Sequence, residues 1–424
     1  MSLAPKSQPP VVILEEIVRH YRTPTYAYDI NRIRDQVAKL KQFLPPAVEV
    51  LYSLKANASL GLCGVLADCG LGADVASAGE LAIALAAGFS PSRVFLTGPD
   101  RSPAVLASLR SLPEITISVD SVSELRLLAS MDVKHRALLR LRPDFCSYAT
   151  CAAGPDSRFG VTMDELSQCR SFLDSPGLRM IGFHVFSGSQ ILSAEGIIHH
   201  FRGAVDQSLR AADVLGIPAD VIDLGGGLGI PYGPDEGELD LAEIGRELDA
   251  LARRAAPVRL VLELGRYLVA QAGWYLVTVL AQQCHRGRKA VVVDGGTHQR
   301  GDMCGLGLRQ KGFPPLVLNG RKGPLVPTDI LGCLSLPSDV MAEARPLPPL
   351  SPGDVLAFPN AGAYGLLASP WLFHGHPPPT EIAFEQSDFG QSSIQLLRPR
   401  LAAETVLDGQ QLFASSQSAK GVSQ

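Results

Sequence analysis

Residues 48–55 read Val-Glu-Val-Leu-Tyr-Ser-Leu-Lys, an apolar run of strand length that stops on a lysine. Seven further runs rich in apolar and β-branched residues follow, at 72–77, 94–98, 116–119, 137–142, 180–187, 220–225 and 259–264. Between them lie alanine- and leucine-rich amphipathic stretches, among them 80–87, 105–109, 124–130 and 197–215. Alternation of strand and helix predicts parallel pairing, and eight units over roughly 230 residues suit a closed barrel better than an open sheet. The expected fold class is therefore α/β, a (β/α)8 TIM-like barrel.

The beat changes near residue 275. Apolar runs at 275–280, 290–293, 316–318, 354–358 and 381–384 are separated by Gly, Pro and Asp turns instead of helices. They predict a C-terminal β-rich domain of mostly antiparallel strands, with 346–353 a proline-rich turn between two of them. The expected organisation is a barrel over 24–272, a β-rich domain from 1–23 and 273–410, and a polar, disordered tail at 411–424.

Composition narrows the class. Of 424 residues, 46% are hydrophobic and 19% charged, which supplies a core and excludes global disorder. The 38 basic and 42 acidic side chains leave −4, so no basic surplus points to nucleic acid or to anionic lipid. The longest apolar stretch, near 81–89, is about half the ~18 residues that a membrane span needs. Residues 1–10 lack the charged-then-apolar order of a signal peptide. Eight cysteines are scattered with no C-x-x-C pair, which suits reduced thiols and a cytoplasmic location.

In such a barrel, chemistry sits at the C-terminal ends of the strands. Lys55 ends the first, where desolvation would lower its pKa and make it a Schiff-base candidate; a lone lysine there is more often one that snorkels to water. The seventh strand ends in Asp223-Leu-Gly-Gly-Gly-Leu-Gly. Three consecutive glycines let backbone N–H groups approach an anion closely, whereas a tight turn needs only one or two. The eighth ends in Glu263-Leu-Gly-Arg266, and loops after strands seven and eight commonly hold a phosphate in this architecture. Alone, Glu-x-Gly-Arg reads as a surface salt bridge; beside the triple glycine it becomes informative. Together a lysine, a glycine cradle, an arginine and a carboxylate spell a site for pyridoxal 5'-phosphate (PLP).

The motifs Tyr52-Ser-Leu-Lys-Ala-Asn, Gly72-Ala-Asp-Val-Ala-Ser-Ala-Gly-Glu-Leu, Leu139-Arg-Leu-Arg-Pro, Asp156-Ser-Arg-Phe-Gly, Gly188-Ser-Gln, Asp223 to Gly227, Glu263 to Arg266, Val293-Asp-Gly-Gly and Gly362-Ala-Tyr-Gly occur in a fixed order. That order resembles the fold-type III PLP-dependent decarboxylases, the ornithine/diaminopimelate decarboxylase family, over about residues 24–385. Gly182-Phe-His-Val-Phe-Ser-Gly-Ser-Gln and Gly362-Ala-Tyr-Gly-Leu-Leu-Ala-Ser-Pro most resemble the branch found in natural-product, siderophore and exopolysaccharide clusters. That branch includes enzymes that act on aminoacyl groups held by carrier proteins. The resemblance implies a homodimer in which each β domain completes the partner's active site. It implies that Lys55 carries the cofactor and Glu263 pairs with the ring nitrogen. It also implies that Ser189, Gly225, Gly226, Gly227, Gly265 and Arg266 hold the phosphate, with Tyr364 reaching it from the partner chain. Asp74 and Arg140 match positions near the lysine; for Arg140 an ion pair with Asp74 or Glu80 is an equal reading.

Four positions depart from the family pattern. Phe186 stands where a histidine usually stacks on the ring, keeping an aromatic face and losing an ionisable group. Ser335 stands where the partner's cysteine gives a proton to Cα; a hydroxyl is a poor donor, and Cys333 lies two residues before it. The next residue, often acidic where a distal amine is bound, is Leu336. Leu264 replaces a proline in Glu-x-Gly-Arg. Substrate contacts are expected from His184, from Asp339 and from Arg300 in the basic loop 297–311, which could grip a carboxylate or a phosphopantetheine arm. His374 and His376 have His-x-His spacing, but no nearby Cys or carboxylate completes a metal set in the sequence, so no metal is expected.

The resulting expectation is removal of the α-carboxylate from an amino acid or a carrier-bound aminoacyl intermediate. The alternatives are an amino-acid racemase, a decarboxylation-coupled oxidative deaminase if Ser335 protonates slowly, and a non-enzymatic regulator.

Overall fold

The structure is a computed structural model that describes residues 10–145, 154–173, 175–303, 312–319, 323–387 and 391–412. It opens with α1 (Val11–Tyr21), β1 (Thr25–Asp29) and α2 (Ile30–Phe43). Then come β2 (Val48–Ser53), α3 (Leu60–Asp68), β3 (Gly72–Val75), α4 (Ala78–Ala86), β4 (Val94–Leu96), α5 (Pro103–Ser111), β5 (Thr116–Val119) and α6 (Val122–Ala129). β6 (His135–Leu141), α7 (Leu166–Cys169), β7 (Leu178–Val185), α8 (Ala194–Leu215), β8 (Val221–Asp223), α9 (Leu241–Ala255) and β9 (Arg259–Leu264) complete the first half. Strands β2 to β9 form a closed barrel, every neighbouring pair parallel and β2 paired to β9. The eight expected strands are all present.

Two strand-to-helix corners are built by the same Ser-x-x-Glu pattern. In Ser77-Ala-Gly-Glu80 the serine oxygen accepts the Glu80 N–H, and the glutamate accepts the N–H of Ala76. In Ser121-Val-Ser-Glu124 the serine accepts the Glu124 N–H, and the glutamate takes the N–H of Asp120. Reciprocal capping of this kind satisfies N–H groups that a helix start leaves orphaned. Here it also fixes the loops that follow β3 and β5.

The second half holds α10 (Arg266–Val269) and then β10 (Gly273–His285), β11 (Arg288–Val293), β12 (Leu316–Val317), β13 (Val326–Leu331), β14 (Val340–Leu347), β15 (Val355–Phe358), β16 (Thr380–Gln386) and β17 (Ser392–Arg398). They form one nine-stranded sheet together with β1. The sheet is mostly antiparallel, as expected, but mixed, since β1 runs parallel to β16 and β11 parallel to β13. β1 lies inside the span expected for the barrel, yet it pairs with β10 and β16 through Tyr26↔Tyr275 and Tyr26↔Glu381. Ile13, Leu14 and Ile17 of α1 cover that sheet against Ala27, Leu276, Ile382 and Phe384. The expected proline-rich turn at 346–353 starts later, since β14 runs through Pro346 to Leu347. Pro346 pairs with Pro327 at the sheet's edge, where a missing N–H breaks no inner ladder. The expected tail lies outside the described residues from 413 onward.

Candidate active site

The barrel interior is filled in layers two residues apart. Leu51, Phe95, Leu138, Ile181, Val221 and Val261 form a closed apolar cluster across six strands. Two residues further along, period two turns Ser53, Thr97, Arg140, Asp223 and Glu263 to the same side, now at the C-terminal end. β7 reaches that layer by a slip. Its ladder to β6 jumps one residue between Ala137↔Met180 and Leu138↔Gly182, which sets His184 level with Arg140. An apolar floor thus carries a polar ceiling.

Lys55 sits in the 3-10 turn Leu54–Ala56 just after β2, and its Nζ lies 3.0 Å from Asp74 Oδ2. The other Asp74 oxygen accepts the Thr97 hydroxyl, so the carboxylate is pinned from both sides. The lysine pKa is raised, against the expectation of a lowered one. Burial pulls it down, but the carboxylates of Asp74 and Glu263 outweigh burial and hold the ammonium.

Glu263, Asp223 and His184 each place a donor or acceptor atom within 4.8 Å of the other two. His184 Nδ1 lies 2.8 Å from the Ser118 hydroxyl, and its Nε2 lies 3.8 Å from Glu263 Oε2. At 1% exposure it lies beneath the mouth, beside Glu263, which corrects its expected place against substrate. Burial, with Arg140 and Lys55 nearby, lowers its pKa, so the ring is neutral. Asp223 Oδ1 accepts the Gly225 N–H at 2.8 Å, while Asp223 Oδ2 and Glu263 Oε1 have no hydrogen-bond partner among the described residues. Burial raises both carboxyl pKa values, with the charges of Asp223 and Asp74 adding to it at Glu263 and that of Asp74 at Asp223. Arg140 pairs with Asp120 at 3.3 Å and stacks 4.8 Å over the Phe159 ring, in place of the ion pair with Asp74 or Glu80.

The glycine cradle has no room for side chains. A Cβ on Gly226 would stand 2.2 Å from the Glu263 carbonyl oxygen, and one on Gly225 would stand 2.8 Å from the Phe186 ring. Gly225 (φ +63°) and Gly227 (φ +115°) take left-handed backbone that favours glycine. Ser187 is tied to the cradle through His200, a residue that sequence reading passed over. Its Nε2 donates to the Leu224 carbonyl at 2.7 Å, which leaves Nδ1 to accept the Ser187 hydroxyl at 2.6 Å. Burial brings this imidazole down to about 4, so it stays neutral.

Arg266 is 4% exposed and forms no ion pair with any described residue. Its Nη1 donates to the Tyr232 hydroxyl at 2.8 Å, its guanidinium lies 4.7 Å from the Tyr364 ring centre, and its Nε has no hydrogen-bond partner among the described residues. A buried cation without a counter-charge is costly. Tyr364 reaches Arg266 from the same chain, not from a partner. The Tyr364 N–H donates to the Ala56 carbonyl at 2.7 Å, and the Gly362 N–H to Ala270 at 3.0 Å, so the loop after β15 is tied to its own barrel. An uncompensated arginine, a cradle of open backbone and an orphaned buried carboxyl oxygen fit a phosphate ester joined to a basic heterocycle.

The remaining expected residues lie in the β-rich half. Arg300 is 2% exposed and held by Asp302 through contacts of 2.8 and 2.5 Å, so it is already neutralised. Asp339, 3% exposed, accepts the Thr297 N–H and hydroxyl and the Leu334 N–H, which makes it a loop clasp. Both side chains are thus buried and engaged within their own loops, with Arg300 Nη1 left without a hydrogen-bond partner among the described residues. Of the basic loop, residues 304–311 lie outside the described set. Ser335 is exposed, while Cys333 lies 3.8 Å from His376 Nε2 and burial pushes its thiol up to about 11. A cysteine therefore does stand beside the His-x-His pair, contrary to expectation: the fold brings 333 and 376 together across 43 residues.

Fold and site together define a class: PLP-dependent carboxy-lyases that act on amino acids. Residues 30–270 match the model of the pyridoxal-dependent decarboxylase family, pyridoxal binding domain. The chain belongs to that family. It is 32% identical to the L-glutamyl-[BtrI acyl-carrier protein] decarboxylase of Niallia circulans, over 92% of this chain and 94% of that one. It is 31% identical to the diaminopimelate decarboxylase of Methanothermobacter thermautotrophicus, over 94% of each. The crystal structure of Helicobacter pylori diaminopimelate decarboxylase with L-lysine superposes with a TM-score of 0.82 at 26% identity, over 93% of this chain and 98% of that one. These relatives are decarboxylases, and the racemase and regulator readings fall away.

Proposed function

We propose that this enzyme removes the α-carboxylate of an amino-acid-like substrate without a distal amine, taken free or as an aminoacyl group on a carrier protein. Leu336, exposed where an acidic anchor would otherwise stand, supports the first part. The similarity to a carrier-protein decarboxylase supports the second. The observation that carries the reading is that Lys55 and Glu263 interact at the C-terminal end of the barrel, where β9 also runs into an Arg266 without a counter-charge among the described residues.

Lys55 Nζ is the attachment point for PLP. Ser189, Gly225, Gly226, Gly227, Gly265 and Arg266 hold its phosphate, with the Tyr364 ring against the guanidinium. Phe186 covers one ring face, and Glu263 pairs with the ring nitrogen, steadied by Asp223 and neutral His184. When bound, the cofactor supplies the sink for the electron pair left at Cα as CO2 departs. Lys55 Nζ, kept as an ammonium by Asp74, is placed to return a proton to Cα. The Ser335 hydroxyl is a weak acid, and the Cys333 thiol is turned to His376. Ser335, Leu336 and Pro337 form an exposed turn that a second copy would present to this mouth, completing a homodimeric site. Free thiols at Cys63, Cys69, Cys169, Cys284 and Cys333 support work in the cytoplasm. Among the described residues no helix is long and apolar enough to cross a membrane.

Borohydride reduction followed by peptide mass spectrometry is expected to find the cofactor mass on the Lys55 peptide, and Lys55→Ala to lose both that adduct and CO2 release. A PLP adduct elsewhere, or retained activity in Lys55→Ala, refutes the assignment. Free L- and D-amino acids and a glutamyl-loaded carrier protein, assayed side by side for CO2, separate the two substrate forms. Enantiomer interconversion without CO2 on chiral chromatography would overturn decarboxylation.

A further inference from the structure

The β-rich half holds a side-chain set that the decarboxylase site does not use. His298 lies in the short turn Thr297–Gln299, Cys333 follows β13, and His376 follows the turn Phe373–Gly375. One donor atom from each lies within 4.8 Å of the other two. Cys333 Sγ is 3.8 Å from His376 Nε2, and the His298 and His376 ring centres are 5.0 Å apart. His298 is 1% exposed, and neither ring nitrogen has a hydrogen-bond partner among the described residues. A buried imidazole left unsatisfied at both nitrogens is a standing cost that a ligand at this point would remove.

The set is held in place from behind. Asp339 accepts the Thr297 N–H at 2.7 Å and the Leu334 N–H at 2.9 Å, each one residue from a member of the set. The Cys333 N–H donates to the Gly295 carbonyl at 3.0 Å, which ties the two segments directly. Cys333 and His376 are half-buried, so the cluster opens toward solvent on one side.

We propose that His298, Cys333 and His376 bind a divalent transition cation of the zinc class, with the fourth position open to water. Two imidazoles and one thiolate form a borderline-soft donor set that selects such ions over magnesium or calcium. Tetrahedral zinc, with Zn–S about 2.3 Å and Zn–N about 2.0 Å, sets its donor atoms roughly 3.3–3.6 Å apart. The 3.8 Å pair is almost at that spacing, and no gap in the set has to close by more than about 1.5 Å. Binding forms the Zn–S bond and releases the thiol proton to solvent, with no change of oxidation state. A bound Cys333 is also removed from any competition to protonate Cα.

The test uses the holoenzyme, dialysed against chelator, reloaded with zinc and desalted. Elemental analysis is expected to give one zinc per chain, and zinc-edge X-ray absorption a sulfur shell at about 2.3 Å. Cys333→Ser and His376→Asn, both at half-buried positions, are expected to weaken retention at least tenfold against a competing chelator and, for Cys333→Ser, to lose the sulfur shell. Cys284→Ser, on an exposed thiol, is expected to keep both signals. Substoichiometric zinc, an oxygen/nitrogen shell alone, or equal retention by Cys333→Ser overturns the proposal. Zinc lost in Glu263→Gln but kept in Cys333→Ser would assign the ion to His184, Asp223 and Glu263 and overturn it equally.

Discussion

Asp223→Asn isolates the electrostatics of the barrel mouth. Asp223 and Glu263 are buried, and a carboxyl oxygen of one stands within 4.8 Å of a carboxyl oxygen of the other. At that separation two full charges repel by about 3.5 kcal/mol at an effective dielectric of ~20. The pair therefore keeps a proton in the folded state above the pH at which unfolded carboxyls release it. Raised folded pKa values mean that the native state binds more protons, so this contribution is fully present below the ordinary carboxylate range. It is lost as pH rises through the raised one. Asparagine retains the oxygen that accepts the Gly225 N–H and turns a like-charge contact into an amide donor toward Glu263. For a chain of 424 residues, with unfolding entropy of about 2.1 cal/mol/K per residue, 3.5 kcal/mol corresponds to about 4 °C. In cofactor-stripped protein, melting curves of wild type and variant are expected to coincide near pH 5, with the variant about 4 °C higher at pH 8. Parallel Tm profiles for the two proteins from pH 5 to 8 would refute the shared-proton argument.

Two further predictions test other parts of the molecule. Arg266→Met keeps the packing against Tyr232 and Tyr364 but removes the uncompensated charge; PLP affinity, read by absorbance titration, is expected to fall roughly thirtyfold, about 2 kcal/mol. An unchanged affinity would remove the arginine from the phosphate site. Asp329 bonds His285 at 2.7 Å, Arg288 at 3.0 and 3.1 Å and the Ala344 N–H at 2.8 Å; burial works against its ionisation, but these partners outweigh burial and bring it to about 2. Its stabilisation is present above the ordinary carboxylate range and lost as pH falls through about 2, so Asp329→Asn is expected to lower Tm at neutral pH and to converge with wild type in acid.

Much of this protein is local and hence legible in one dimension. Strand length, β-branching and amphipathic spacing are properties of five to twenty neighbouring residues, and they determine eight barrel strands and the lysine, glycines, glutamate and arginine at their ends. β13, β14 and β17 escape such reading, since Pro327, Pro346 and the polar 392–398 run carry weak strand patterns that sheet pairing overrides. Which charged groups meet is decided only in three dimensions. The Thr97 hydroxyl locks Asp74 from 23 residues away, the slip in β7 turns His184 toward Glu263, and the loop after β15 folds Tyr364 onto its own Arg266. His298, Cys333 and His376 become neighbours only because the segments that carry them are drawn to one end of the mixed sheet. Local propensity is read within a segment; encounters between segments depend on strand order and register, which follow from closing the barrel and burying both sheets' apolar faces.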